Sequence, residues 1–106
     1  MALSFSRWER RDNADRAVFG KASFEYCQAL KLAGVRARFY WTGADPVAIV
    51  AEAEDPGAFD AAPPEGVARA VFALGDLARQ TAAERWIDPR EGMTAYTRAG
   101  RVGTTA

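Results

Sequence analysis

The stretch "RARFYWTGADPVAIVAE", residues 36–52, decides the fold. Two runs rich in aromatic and β-branched residues flank Thr42-Gly43-Ala44-Asp45-Pro46, the pattern of two strands joined by a turn. Neighbouring residues of a strand point to opposite faces, so Phe39, Tyr40 and Trp41 cannot share one core. Register separates them. With Trp41 opposite Val47, Phe39 meets Ile49 and Ala37 meets Ala51, and that face is wholly apolar. The other face then sets Tyr40 beside Ala48, Arg38 beside Val50, and Arg36 beside Glu52, where opposite charges meet. A slip of one residue puts Arg36 and Arg38 across from Ala51 and Ile49 and spoils the apolar face. The hairpin is therefore predicted to turn Phe39 and Trp41 inward and Tyr40 outward.

On the N-terminal side, residues 3–8 alternate weakly, Leu3 and Phe5 against Ser4 and Ser6, and read as a short first strand. Residues 10–13 offer helix caps. Val18, Phe19, Ala22, Tyr26, Ala29, Leu30 and Ala33 then fall on one helical stripe, with Gly34 as a stop. Gly20 costs about 1 kcal/mol inside a helix relative to alanine. The stripe passes through it without a change of phase, which favours one helix over two.

On the C-terminal side, Asp55-Pro56 opens a second helical region, interrupted by Pro63-Pro64. A clear helix follows, carrying Val67, Ala70, Val71, Leu74, Leu77 and Ala78 on one face. A last strand spans residues 83–88, and Trp86 and Ile87 compete for its inner face. The order β-α-β-β-α-β is that of a ferredoxin-like α+β sandwich. It implies a four-stranded antiparallel sheet in the order 4-1-3-2 with both helices on one face. The domain is expected over residues 1–89. Residues 90–106, rich in Gly, Thr and Arg, read as a C-terminal tail, either flexible or packed on a dimer.

The sheet face away from the helices is where a site would lie. It is expected to carry Arg36, Arg38, Tyr40, Ala48, Val50 and Glu52, with Ser4, Ser6 and Trp8 from the first strand. An apolar floor ringed by arginine, tyrosine and carboxylate either packs on a second subunit or lines a pocket. Tyr40 and Arg38 could orient an anionic or aromatic ligand, although Tyr and Arg are also typical of interfaces. Arg36 with Glu52 reads first as a cross-strand ion pair. Glu52 becomes a candidate base only if buried, since burial raises a carboxyl pKa. Trp8 and Trp86 are strand-end residues suited to pocket walls or to packing.

Composition narrows the chemistry. The chain of 106 residues is 49% hydrophobic and 26% charged, with 14 basic and 14 acidic residues, so bulk charge steers it to neither nucleic acid nor membrane. No apolar run approaches the ~20 residues of a membrane span. There is no histidine, which removes the commonest general base, the haem axial imidazole and most transition-metal sites. No cofactor and no metal are expected. Cys27 is the one cysteine; it excludes an intrachain disulfide and, beside the first helix's apolar stripe, reads as an inert thiol. With the polar first residues, this points to the cytoplasm. The abundance of arginine and alanine over lysine points to a bacterial source. The exposed aromatics within basic glycine-containing motifs that an RNA-binding sheet requires are missing.

Four segments carry a family resemblance: "FSRWER" at residues 5–10, "WTGADP" at 41–46, "EAEDPGAFD" at 52–60 and "ERWIDP" at 84–89. In these the chain resembles, over residues 2–89, the dimeric α/β-barrel superfamily, and within it the small stand-alone domains of unknown function. "AAPPEG" at residues 61–66 departs from that pattern as an insertion. The resemblance implies a homodimer whose sheets pair face to face into a barrel, but it selects no function, because the superfamily spans enzymes, lactone isomerases and regulators. No catalytic motif transfers, so whether the chain is an enzyme stays open. Two readings remain. One is a homodimer that binds or transforms a small apolar or aromatic molecule in a cavity on the sheet face. The other is an interaction or assembly module in which that face is only the interface.

Overall fold

The computed structural model describes residues 1–88, so the reading of 90–106 as a tail lies outside the described residues. Its elements are β1 (Ala2–Arg10), α1 (Arg16–Leu32), β2 (Arg36–Trp41), β3 (Val47–Ala53), a 3₁₀ turn (Pro56–Phe59), α2 (Glu65–Leu77) and β4 (Ala78–Ile87). The strands form one antiparallel sheet in the order β2-β3-β1-β4, the expected ferredoxin-like order read from the other edge. Both helices cover one face, where Phe19 and Cys27 of α1 and Leu74 of α2 meet Trp8, Val47 and Ile49 of the sheet.

The hairpin adopts the predicted register at every pair, from Arg36 opposite Glu52 to Trp41 opposite Val47. Phe39 and Trp41 lie beneath the helices and Tyr40 is 51% exposed. Phe19 meets the Trp41 ring edge-on at 5.7 Å, and the Arg16 guanidinium covers the Trp41 ring at 3.9 Å from its centroid, a cation–π contact. Gly43, at φ +88°, closes the turn where a Cβ would be strained.

α1 runs unbroken through Gly20. A Cβ at Gly20 would stand 3.0 Å from Trp41 Cζ2, so the glycine lets helix and sheet approach closely. The cap is Asp15 rather than residues 10–13: its carboxylate accepts from the Ala17 and Val18 amides at 2.7 and 3.1 Å, satisfying first-turn donors. The inward stripe is rotated from the predicted one. Phe19, Ala22, Ser23 and Cys27 are buried while Val18 is 49% exposed. Ser23 fits because its hydroxyl donates to the Phe19 carbonyl at 3.0 Å.

Two strands depart from expectation. In β1, Ser4, Ser6 and Trp8 pair with Ala51, Ile49 and Val47, so they face the helices, and Leu3 and Phe5 face away. Trp8 sets the phase. The core takes the largest side chain of the strand, and the Trp8 indole N–H donates to the Ser6 hydroxyl at 3.0 Å, which keeps both groups satisfied under cover. β4 begins at Ala78, not at residue 83, and follows α2 without a loop. Ala78 therefore belongs to the strand rather than to the helical stripe. Between Arg7 and Trp8 the β1–β4 register shifts by one residue at Thr81. This bulge reverses the face on which even-numbered β4 residues lie: Ala78 points into the core, whereas Trp86, eight residues on, points away from it. The 3₁₀ turn, capped by Asp55 through the Gly57 amide at 2.9 Å, holds Phe59 against Ala51 and Ala53. Arg85 ties the turn to β4 through Asp60 and the Phe59 carbonyl.

Candidate functional site

Alternation along the four strands builds the open face. β2 supplies Arg36, Arg38 and Tyr40; β3 supplies Ala48, Val50 and Glu52. β1 supplies Leu3, Phe5 and Arg7, which pair with Glu52, Val50 and Ala48, and β4 supplies Ala82, Glu84 and Trp86. The face divides in two. On the β1–β4 side Phe5 and Trp86 stack with centroids 5.9 Å apart and planes within 7°, an offset aromatic pair. Leu3 and Val50 adjoin them in an apolar patch, bordered on these strands by Arg7 and Glu84. On the β2 side the side chains are charged or hydroxylated.

Five of the six residues singled out from the sequence meet there. Arg36, Arg38, Tyr40, Val50 and Glu52 line one open concavity of about 420 Å³, joined by Lys31 and Ala37 at the β2 edge. Trp8, the sixth, is 6% exposed and packs beneath the helices; it forms no part of this face, and neither do Ser4 and Ser6. Their places are taken by Leu3, Phe5 and Trp86, so the face is more apolar than expected.

Glu52 accepts from the Arg36 guanidinium at 2.5 Å, and its side chain is 32% exposed in the protomer. That is the cross-strand ion pair read from the sequence, and the burial that a working base requires is not met here. Cys27 is buried, and burial pushes its thiol from 9.0 up to about 11. The neutral thiol therefore prevails at neutral pH, which is unsuited to nucleophilic attack. Burial likewise raises the Tyr26 phenol, with Cys27 adding to the shift. Among the described residues no group of three or more His, Cys, Asp or Glu side chains could hold a metal ion, and no helix is long and apolar enough to cross a membrane.

Sequence reasoning missed Leu3, Phe5 and Lys31, and it named Trp86 without settling its face. The Leu3/Phe5 alternation was visible but carried the wrong phase, and the size of Trp8 was the signal that would have corrected it. Trp86 was obscured by the bulge. Lys31 belongs to the last turn of α1, whose spacing says nothing about a sheet edge.

No family model and no curated protein sequence matches this chain. Among solved structures it is similar to a dimeric protein of unknown function with a ferredoxin-like fold from Bacteroides fragilis, at 9% identity and a TM-score of 0.58, over 82% of this chain and 96% of that one. The likeness is one of fold.

Proposed function

We propose that this chain forms a homodimer through the open face of its sheet, bringing two sheets face to face. The observation that carries this reading is the apolar half of that face, which no helix covers among the described residues and where Leu3, Phe5, Val50 and Trp86 lie together. A sheet is stable in water with one polar face, whereas contiguous apolar surface marks an interaction site. Trp86 is 49% exposed in the protomer, a large apolar area that a second sheet would remove from water at about 25 cal/mol per Å². The polar rim of Arg7, Arg36, Arg38 and Glu84 matches the usual arrangement of an apolar interface centre within a charged border. The similar Bacteroides fragilis protein is itself described as dimeric, which supports a homodimer here.

The concavity beside Tyr40 favours a further function within that dimer. Two apolar halves in contact would close the mouths of the two concavities, and each would become a chamber for a small apolar or aromatic molecule. Tyr40 and Arg38 would orient the molecule against Val50. In this reading the protein is a small-ligand binding domain, and the paired, partly exposed Glu52 is a structural contact rather than the base of a reaction.

Native mass spectrometry of the full chain tests both parts at once. The expected species has twice the 11.5 kDa chain mass and carries a small-molecule adduct that is released on activation. A bare species at the chain mass overturns the assembly, and a bare dimer overturns the chamber.

A further inference from the structure

The charges around the β2-edge concavity do not balance. Its lining includes Lys31, Arg36, Arg38 and one carboxylate, Glu52. Arg36 takes that carboxylate at 2.5 Å. Among the described residues the Lys31 ammonium and the Arg38 guanidinium make no ion pair or side-chain hydrogen bond. Most other basic groups are engaged: Arg10 with Asp45, Lys21 with Glu25, Arg69 with Glu65 and Arg85 with Asp60, and Arg11 and Arg16 on the carbonyls of Gly75 and Ala44, while Arg7 and Arg79 lie outside this lining. A chain of zero formal net charge thus holds a concave surface with two uncommitted positive charges.

Lys31 is not needed by its own helix. Three carbonyls of the last turn of α1 are already taken: Ala33 N–H donates to Ala29 and Leu30, Gly34 N–H to Lys31, and Val35 N–H to Leu30. Those backbone bonds close the helix end by themselves. Arg38 is placed by β2, whose register holds it opposite Val50 and on the same side as Tyr40. A cation from a helix end and a cation from a strand therefore border one hollow, whose floor is the Val50 side chain and the half-exposed Tyr40 ring.

We infer that this concavity binds a small carboxylate with an aromatic or apolar body, its anionic head held between Arg38 and Lys31 and its body laid on Tyr40 and Val50. The inference rests on the reading of the concavity as a ligand site and names that ligand's chemistry. A guanidinium accepts a carboxylate through parallel N–H donors, and a lysine adds a point charge. The aromatic floor gives the body a stacking surface, which inorganic phosphate could not use.

The test is titration of the isotopically labelled full chain with benzoate, benzamide and inorganic phosphate, following backbone amide shifts of residues 36–40 and 48–52. The expected result is saturable binding of benzoate, with benzamide and phosphate each at least about tenfold weaker, since tenfold corresponds to ~1.4 kcal/mol. Arg38→Gln and Lys31→Gln, both at exposed positions, are expected to weaken benzoate about three- to tenfold each and leave benzamide unchanged, because only the charge-assisted contact is lost. Benzamide binding as tightly as benzoate overturns the anionic head while leaving the ligand site in place. Phosphate binding as tightly as benzoate overturns the aromatic body. Absence of saturation by any probe overturns the ligand site itself, and light scattering on the same samples reports separately whether the dimer stands.

Discussion

Both faces of this sheet carry large apolar side chains, and they are used in different ways. Beneath the helices, Trp8, Val47 and Ile49 are 6%, 0% and 2% exposed and interlock with Phe19 and Leu74. On the other side, Phe5 and Trp86 stack against each other, and Trp86 stays 49% exposed among the described residues. The covered face carries the stability of the protomer. The open face, in the proposed assembly, carries association and ligand binding. Changes of similar size on the two faces are therefore expected to report on different properties.

The largest effect belongs to the covered face. Phe19→Ala removes a ring with no exposed surface from contact with Trp41 and is expected to cost about 3–5 kcal/mol in urea unfolding. Next comes the approach of α1 to the sheet. Gly20→Leu drives a side chain into Trp41 from a starting Cβ distance of 3.0 Å and is expected to cost about 1–3 kcal/mol, despite the better helix propensity of leucine.

A smaller effect follows from Cys27. Its thiol is raised from 9.0 to about 11 in the fold, so the unfolded chain releases its proton first. Stability is then fully present below pH 9 and falls as pH rises towards 11, a slope that Cys27→Ala should reduce in unfolding measured at a series of pH values. The same protonated, buried thiol should react with maleimide at pH 7 far more slowly than in the denatured chain. The smallest effect lies on the open face. Arg36→Ala removes an exposed ion pair and is expected to change stability by less than about 1 kcal/mol, so a larger loss would mean that this rim is buried in an assembly.

The contrast between the faces also explains which parts of the fold could be read from sequence. The hairpin was readable because two strands constrain one another: one register alone keeps Ala37, Phe39 and Trp41 opposite Ala51, Ile49 and Val47. β1 offered a single alternation, and both of its faces meet apolar neighbours, Val47 and Ile49 on one side and Val50 on the other. Hydrophobicity therefore could not choose between Leu3-Phe5 and Trp8. β4 was unreadable in phase because a bulge at Thr81 changes which residues are inward partway along the strand. Within the candidate site, Arg36, Arg38, Tyr40, Val50 and Glu52 followed from the hairpin. Lys31 did not, because its proximity to β2 arises from helix packing that no local pattern encodes.

The central claim is that the open sheet face, and not the outer surface of the helices, joins two copies of the chain. Light scattering at micromolar concentration tests it on the wild type and two variants: Phe5→Glu in the open face, and Phe72→Glu on α2, where the ring is 76% exposed. Circular dichroism verifies that both variants retain the fold. The wild type and Phe72→Glu are expected at twice the 11.5 kDa chain mass, and Phe5→Glu at the chain mass. A monomeric wild type, or a dimer lost in Phe72→Glu and kept in Phe5→Glu, would contradict it.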